Sequence, residues 1–178
     1  MSTPVLSKQQ IGAYGEKAVE AELLRHGWIT ANVNTSIKNA ADFDIFAHKG
    51  RLAINVQVKT CGIEEDGFHF KGPSGTLRVG DSDFTVLVAM GITRREDQFY
   101  VVPTRKVRED ISLYRTEYLS VDRRDGGARA DLNWWTLRLR ERATNQAGSG
   151  FEQKWKLHKG NWSILDGRSA ATGRTRTR

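Results

Sequence analysis

Two runs of strict alternation, at residues 42–48 and 51–59, constrain this chain more than any other feature. In the first, Phe43, Ile45 and Ala47 alternate with Asp42, Asp44, Phe46 and His48. In the second, Leu52, Ile54, Val56 and Val58 alternate with Arg51, Ala53, Asn55, Gln57 and Lys59. A period of two belongs to a strand with two unlike faces, and two such runs joined by Lys49 and Gly50 read as a β-hairpin. With Lys49 and Gly50 as a two-residue loop, His48 faces Arg51, Asp44 faces Asn55 and Asp42 lies across from Gln57. A three-residue loop with a bulge changes the pairing. The parity stands either way, because a slip of one residue would bury the charges. Asp42, Asp44, Gln57 and Lys59 therefore share one face, and such a group on a sheet needs a chemical reason.

The flanks supply the other elements. Residues 7–26 are predicted to form a helix, with Ile11, Tyr14, Ala18, Val19 and Leu23 at helical spacing, Ser7 as N-cap and Gly27 as the stop. Gly15 inside it costs about 1 kcal/mol against alanine, which makes sense where the helix backbone approaches another element closely. Glu16 and Glu20 lie one turn apart. Strands are expected at 28–33, 67–71, 84–90, 98–102 and 134–139. The apolar run 84–90 suits a buried strand paired with 98–102 across a polar turn. Thr104 is expected to cap a helix carrying Val107 and Ile111, and 151–158 to form a last helix before Trp162 and Leu165 pack back on the core. Glycine-rich and charged stretches at 61–83, 121–133 and 144–150 read as loops.

Composition narrows the function. Twenty-eight lysines and arginines against 21 acids give a formal charge of +7, which favours a polyanionic partner. One cysteine, Cys61, excludes an intrachain disulfide and a cysteine-rich zinc site, and is expected to be packed and reduced in a cytoplasmic protein. The four histidines have no metal-ligand spacing. No stretch approaches the roughly 20 apolar residues of a membrane span, so no membrane partner is expected, and the first residues lack the apolar run of a signal peptide. Residues 1–7 read as a flexible arm and 167–178 as a basic, disordered tail.

Gly15 and Glu16 on the first helix, Phe43-Asp44-Ile45 on one strand and Val56-Gln57-Val58-Lys59-Thr60 on the next resemble the PD-(D/E)xK nuclease superfamily. The match is to its Gln-x-Lys branch, which includes some group I intron homing endonucleases and related bacterial proteins. The likeness covers roughly residues 8–60, with weaker echoes at 84–90 and 98–103; Gln57 stands where the superfamily usually has an acid. It implies an α/β fold with a restriction-endonuclease-like core, a mixed central β-sheet flanked by helices, in one domain over 8–166.

The resemblance also implies an activity, Mg²⁺-dependent hydrolysis of DNA phosphodiester bonds, with Mn²⁺ able to substitute. On the matching positions, Asp44 is the main carboxylate ligand, although Asp42 shares its parity. Gln57 offers its amide oxygen and Val58 its backbone carbonyl. Lys59 orients water or stabilises developing charge, and Glu16 holds a second ion or a water. Arg94, Arg95, Arg105, Lys106, Arg108, Arg123 and Arg124 are candidate DNA contacts. Cutting both strands implies a homodimer or higher homo-oligomer. The competing reading is a catalytically silent nuclease-fold module that binds nucleic acid or a protein partner.

Overall fold

The computed structural model describes residues 6–33, 43–63, 65–71, 82–123, 126–143 and 148–167. The first helix, α1 (Lys8–Arg25), starts at a capping box in which Ser7 accepts from the Gln10 N–H and Gln10 answers the Ser7 N–H. Gly27 ends it at φ 79°. Seven strands follow: β1 (Ile29–Asn32), β2 (Ile45–Lys49), β3 (Leu52–Cys61), β4 (Gly67–Lys71), β5 (Phe84–Ala89), β6 (Gln98–Pro103) and β7 (Trp134–Arg138). Helix α2 (Thr104–Leu119) lies between β6 and β7, and the short α3 (Phe151–Lys154) follows β7.

The central sheet runs β1-β2-β3-β5-β6. Its pairs are antiparallel except β3 with β5, so the sheet is mixed, as the sequence implied. Strands β4 and β7 form a separate antiparallel ribbon. One sheet face buries Ile45, Ala47, Val56, Val58, Val86 and Val101 against Val19 and Leu23 of α1, and Trp162 and Leu165 fold back onto the same side. The other face buries Cys61, Leu87, Tyr100 and Val102 beneath α2, the β4–β7 ribbon and α3. This second cover stops short of β1 and β2, where Phe46 and Ala31 stay exposed.

Gly15 shows why α1 carries a glycine. A Cβ built there would fall inside the Thr60 side chain of β3, so the helix backbone lies directly on the strand. Cys61 is fully buried, and burial pushes its thiol up to about 12, which makes it core material.

Three expectations are corrected. The hairpin loop is Gly50 and Arg51, with Lys49 paired to Leu52, so the register lies two residues from the one expected. Gly50, at φ 60°, takes the first loop position, as mirror-image hairpin turns require. Parity survives, but Asp44 rather than Asp42 now meets the end of β3; Asp42 itself lies outside the described residues. At α2 the cap position belongs to Pro103. Thr104 is the first helical residue, and its hydroxyl lies 3.0 Å from those of both Ser82 and Thr85. The last helix is one turn long, followed by a 3₁₀ turn, Lys156–His158. The chain leaves helical geometry there to cover the β6 edge, where the Gly160 N–H donates to the Phe99 carbonyl at 2.7 Å.

Candidate functional site

Asp44 sits where β2 is only beginning. Its N–H donates to the Val56 carbonyl and its own carbonyl accepts from the Val33 N–H, each at 2.9 Å, so β1 and β3 grip its backbone from both sides. Ile45 is also paired with Val56. Asp44 and Ile45 thus both address Val56 of β3, the pattern of a bulge, which re-aims a side chain at a strand end. The Asp44 carboxylate swings along β3 and accepts the Val58 N–H at 2.6 Å. β2 begins only at Ile45, and the Asp44 side chain takes the place of a ladder bond at Val58.

The N–H and C=O of a strand residue point to the same side. The Val58 carbonyl therefore opens toward the Asp44 side of β3. Gln57 and Lys59 flank Val58 on the opposite sheet face from the Val56 and Val58 side chains, across from Thr85 and Leu87 of β5. Both are half-buried. Among the described residues, the Gln57 Oε1 atom is buried and has no hydrogen-bond partner. Leaving such a group unmade costs about 1–3 kcal/mol, and a fold retains it where something else supplies the bond. Among the described residues, Lys59 makes no ion pair.

Glu16 approaches from α1, on the other face of the sheet. Its carboxylate accepts from Asn32 Nδ2 at 2.9 Å, and Asn32 is paired with Ile45, the residue after Asp44. The structure therefore places Asp44 at the start of β2 beside Gln57, Val58 and Lys59 of β3, while Glu16 lies on the helix side of the sheet and is tied through Asn32 to β1. Sequence reasoning missed Asn32; only the register of β1 reveals that it connects Glu16 to the strand bearing Asp44. Among the described residues, no group of three or more His, Cys, Asp or Glu side chains converges.

The candidate DNA contacts divide by position. Arg94 and Arg95 lie exposed in the 3₁₀ turn Arg94–Glu96 that follows β5. Since β5 runs parallel to β3, with Cys61 beside Ala89, this turn belongs to the sheet end that holds Asp44 and Lys59. Arg105, Lys106 and Arg108 begin α2, beyond the opposite end of β5. Arg105 is paired with Glu109, and Lys106 is held by Asp110, which also accepts from the buried Trp155 Nε1. Arg123 caps a loop through its backbone, and Arg124 lies outside the described residues. His48 is half-buried at the hairpin end, and exposed His69 lies 2.9 Å from the Thr136 hydroxyl, so neither reaches the cluster as a base.

Comparison with known proteins bears on the fold. The chain is similar to the solved structure of a bacterial homing endonuclease, I-Ssp6803I, with a TM-score of 0.50 and 16% identity, over 93% of this chain and 96% of that one. At that identity the likeness is one of architecture, nuclease-like in its order of helix and strands. No family profile matches the chain, and no curated protein sequence matches it. Among the described residues, no helix is long and apolar enough to cross a membrane.

Proposed function

We propose that this chain is a metal-dependent endodeoxyribonuclease of the PD-(D/E)xK type, cutting DNA at the Asp44, Gln57 and Lys59 cluster. The observation that carries the reading is the pairing of a strand-end carboxylate, hydrogen-bonded to the Val58 N–H, with the buried, unpartnered amide oxygen of Gln57. The likeness of the whole fold to that of a homing endonuclease supports the substrate class, and so does the charge of +7.

The donors suit a hard dication. Mg²⁺ takes oxygen ligands and keeps several waters, so one or two carboxylates with carbonyl oxygens suffice. Asp44, the Gln57 amide oxygen and the Val58 carbonyl are the residues that would hold it, with Glu16 reaching a second ion or a water. When bound, Mg²⁺ supplies charge stabilisation at the phosphate and a lowered pKa for water. The protein's own part is distinct. The bulge and the Val58 N–H fix the Asp44 carboxylate in one orientation, and the Lys59 ammonium, unpaired, offers hydrogen bonds to a water or to charge developing on the phosphate. Gln57 in place of an acid removes one negative charge, which weakens metal affinity before DNA arrives and lessens repulsion of the phosphate. Cutting both strands calls for two such centres, supplied by a homodimer or higher oligomer.

The test is cleavage of supercoiled plasmid with Mg²⁺ or Mn²⁺ and with chelator. Cleavage that needs the ion and disappears in both Asp44→Ala and Lys59→Ala supports the reading. Cleavage that survives either substitution removes these residues from the centre. DNA binding with no cleavage under any ion turns the assignment to a silent nuclease-fold module. Light scattering that finds a monomer at assay concentration leaves nicking of one strand as the outcome.

A further inference from the structure

The turn between β5 and β6 is built more rigidly than a surface connection needs. The Glu96 carboxylate accepts the Thr93 N–H at 3.0 Å, closing a capping box across the turn. Asp97 then ties the turn to its surroundings with both oxygens: Oδ1 accepts the Gly91 N–H at 2.9 Å, and Oδ2 accepts the Tyr14 hydroxyl of α1. Gly91 lies so close to Glu96 that a Cβ there would overlap the Glu96 side chain and backbone. The acids of this turn are therefore spent on its own shape.

What it presents outward is different in kind. Ile92 is 77% exposed, and beside it Arg94 and Arg95 are exposed and, among the described residues, make no ion pair. Arg105, Arg115, Arg138 and Arg142 are by contrast each held by a carboxylate. An apolar tip flanked by two uncommitted guanidiniums on a pre-formed turn has the composition of a groove-entering element. Proteins that enter the minor groove insert an isoleucine, leucine or phenylalanine at a base step and place arginines along it. Preorganisation lowers the ordering cost of such contacts.

The geometry points to the turn 92–95 as a wedge for duplex DNA, with Ile92 entering the minor groove and Arg94 and Arg95 on the flanking phosphates. This rests on the nuclease reading and deepens it: the substrate is double-stranded and is bent next to the cleavage centre, because the turn lies at the same end of the sheet as Asp44 and Lys59. It also separates two roles among the basic residues. Arg94 and Arg95 hold DNA, while Lys106 is occupied with Asp110.

The experiment measures binding of a fluorescent duplex by anisotropy across salt concentrations, and bending by energy transfer between end labels, in chelator so that nothing is cut. The variants are the double substitution Arg94→Gln with Arg95→Gln, the single Ile92→Ala, and Arg25→Gln as control at the far end of α1. Loss of two phosphate contacts lowers the slope of log affinity against log salt by about 1.8. The arginine pair is expected to show that fall. Ile92→Ala is expected to keep the slope and lose the bend, and Arg25→Gln to match the wild type. A wild type that binds no duplex overturns the nuclease reading and the wedge with it. A wild type that binds and cuts, with an unchanged slope in the arginine variant, overturns the wedge alone. A bend that persists in Ile92→Ala removes the insertion.

Discussion

Two acidic clusters in this fold are built in opposite ways. Around Asp110 the circuit is closed: Lys106 donates to one carboxylate oxygen and the buried Trp155 indole to the other at 2.8 Å. At the start of β2 the picture differs: the Asp44 carboxylate accepts the Val58 N–H, and among the described residues the Gln57 oxygen is buried without a partner and Lys59 makes no ion pair. A fully satisfied buried network fastens elements together, here α2 to the segment after β7, whereas a partly satisfied one costs stability and persists where a ligand completes it. The difference separates a structural acid from a candidate catalytic one without appeal to position in the sequence.

Substitutions can break that contrast, and the largest effect belongs to the open cluster. Lys59→Ala is expected to lower cleavage on the order of 10³-fold, in line with loss of a positioned catalytic group, while leaving thermal stability within about 1 kcal/mol. Plasmid cleavage and a melting curve on the same sample check both halves. Asp110→Ala should do the reverse. Removing the carboxylate leaves the buried Trp155 N–H without an acceptor, at a cost of about 1–3 kcal/mol, read as a lower denaturant midpoint, with the activity per folded molecule retained.

Gly15→Ala comes next, expected to cost about 1–3 kcal/mol because a methyl group would enter the Thr60 side chain. Thr60→Ala in the same chain should recover part of that loss, and a double-mutant cycle measures the recovery. Gln57→Glu is expected to tighten Mn²⁺ binding on the order of tenfold by restoring a charged ligand, with no required gain in turnover. A calorimetric titration with unchanged affinity would remove Gln57 from the ligand set.

The smallest expected effect concerns pH. Burial holds His158 below its ordinary pKa, with Lys106 acting in the same direction and Asp110 against it. The folded state therefore prefers the neutral ring, and the unfolded chain takes up the proton first. The stability this contributes is present above about pH 6.5, the ordinary histidine value, and is lost as pH falls below it. The melting temperature should drop between pH 7.5 and 5.5, and His158→Gln should flatten that slope.

Much of this was legible in the chain itself, for a physical reason. Alternation at 42–59 is a local pattern, so the hairpin, its parity and the shared face of Gln57 and Lys59 follow from it. Gly15 could be read as a close approach because a glycine inside a helix costs stability. What escaped was long-range or set by one dihedral angle. The register turned on Gly50 occupying the first loop position, which moved Asp44 into the place expected of Asp42. The β4–β7 ribbon pairs strands more than 60 residues apart, and nothing local announces its partner. The closed circuit at Asp110 likewise needed Trp155, 45 residues away, so nothing local shows that the half-exposed Lys106 ammonium is paired with Asp110.

The claim that the open cluster is a metal centre meets its most direct test in crystals grown with Mn²⁺, by the anomalous difference map at the Mn²⁺ absorption edge. The account expects a peak within about 2.0–2.3 Å of an Asp44 carboxylate oxygen, the Gln57 Oε1 atom and the Val58 carbonyl oxygen. A Mn²⁺ peak elsewhere in the molecule, with the Gln57 oxygen still unpartnered, would contradict it.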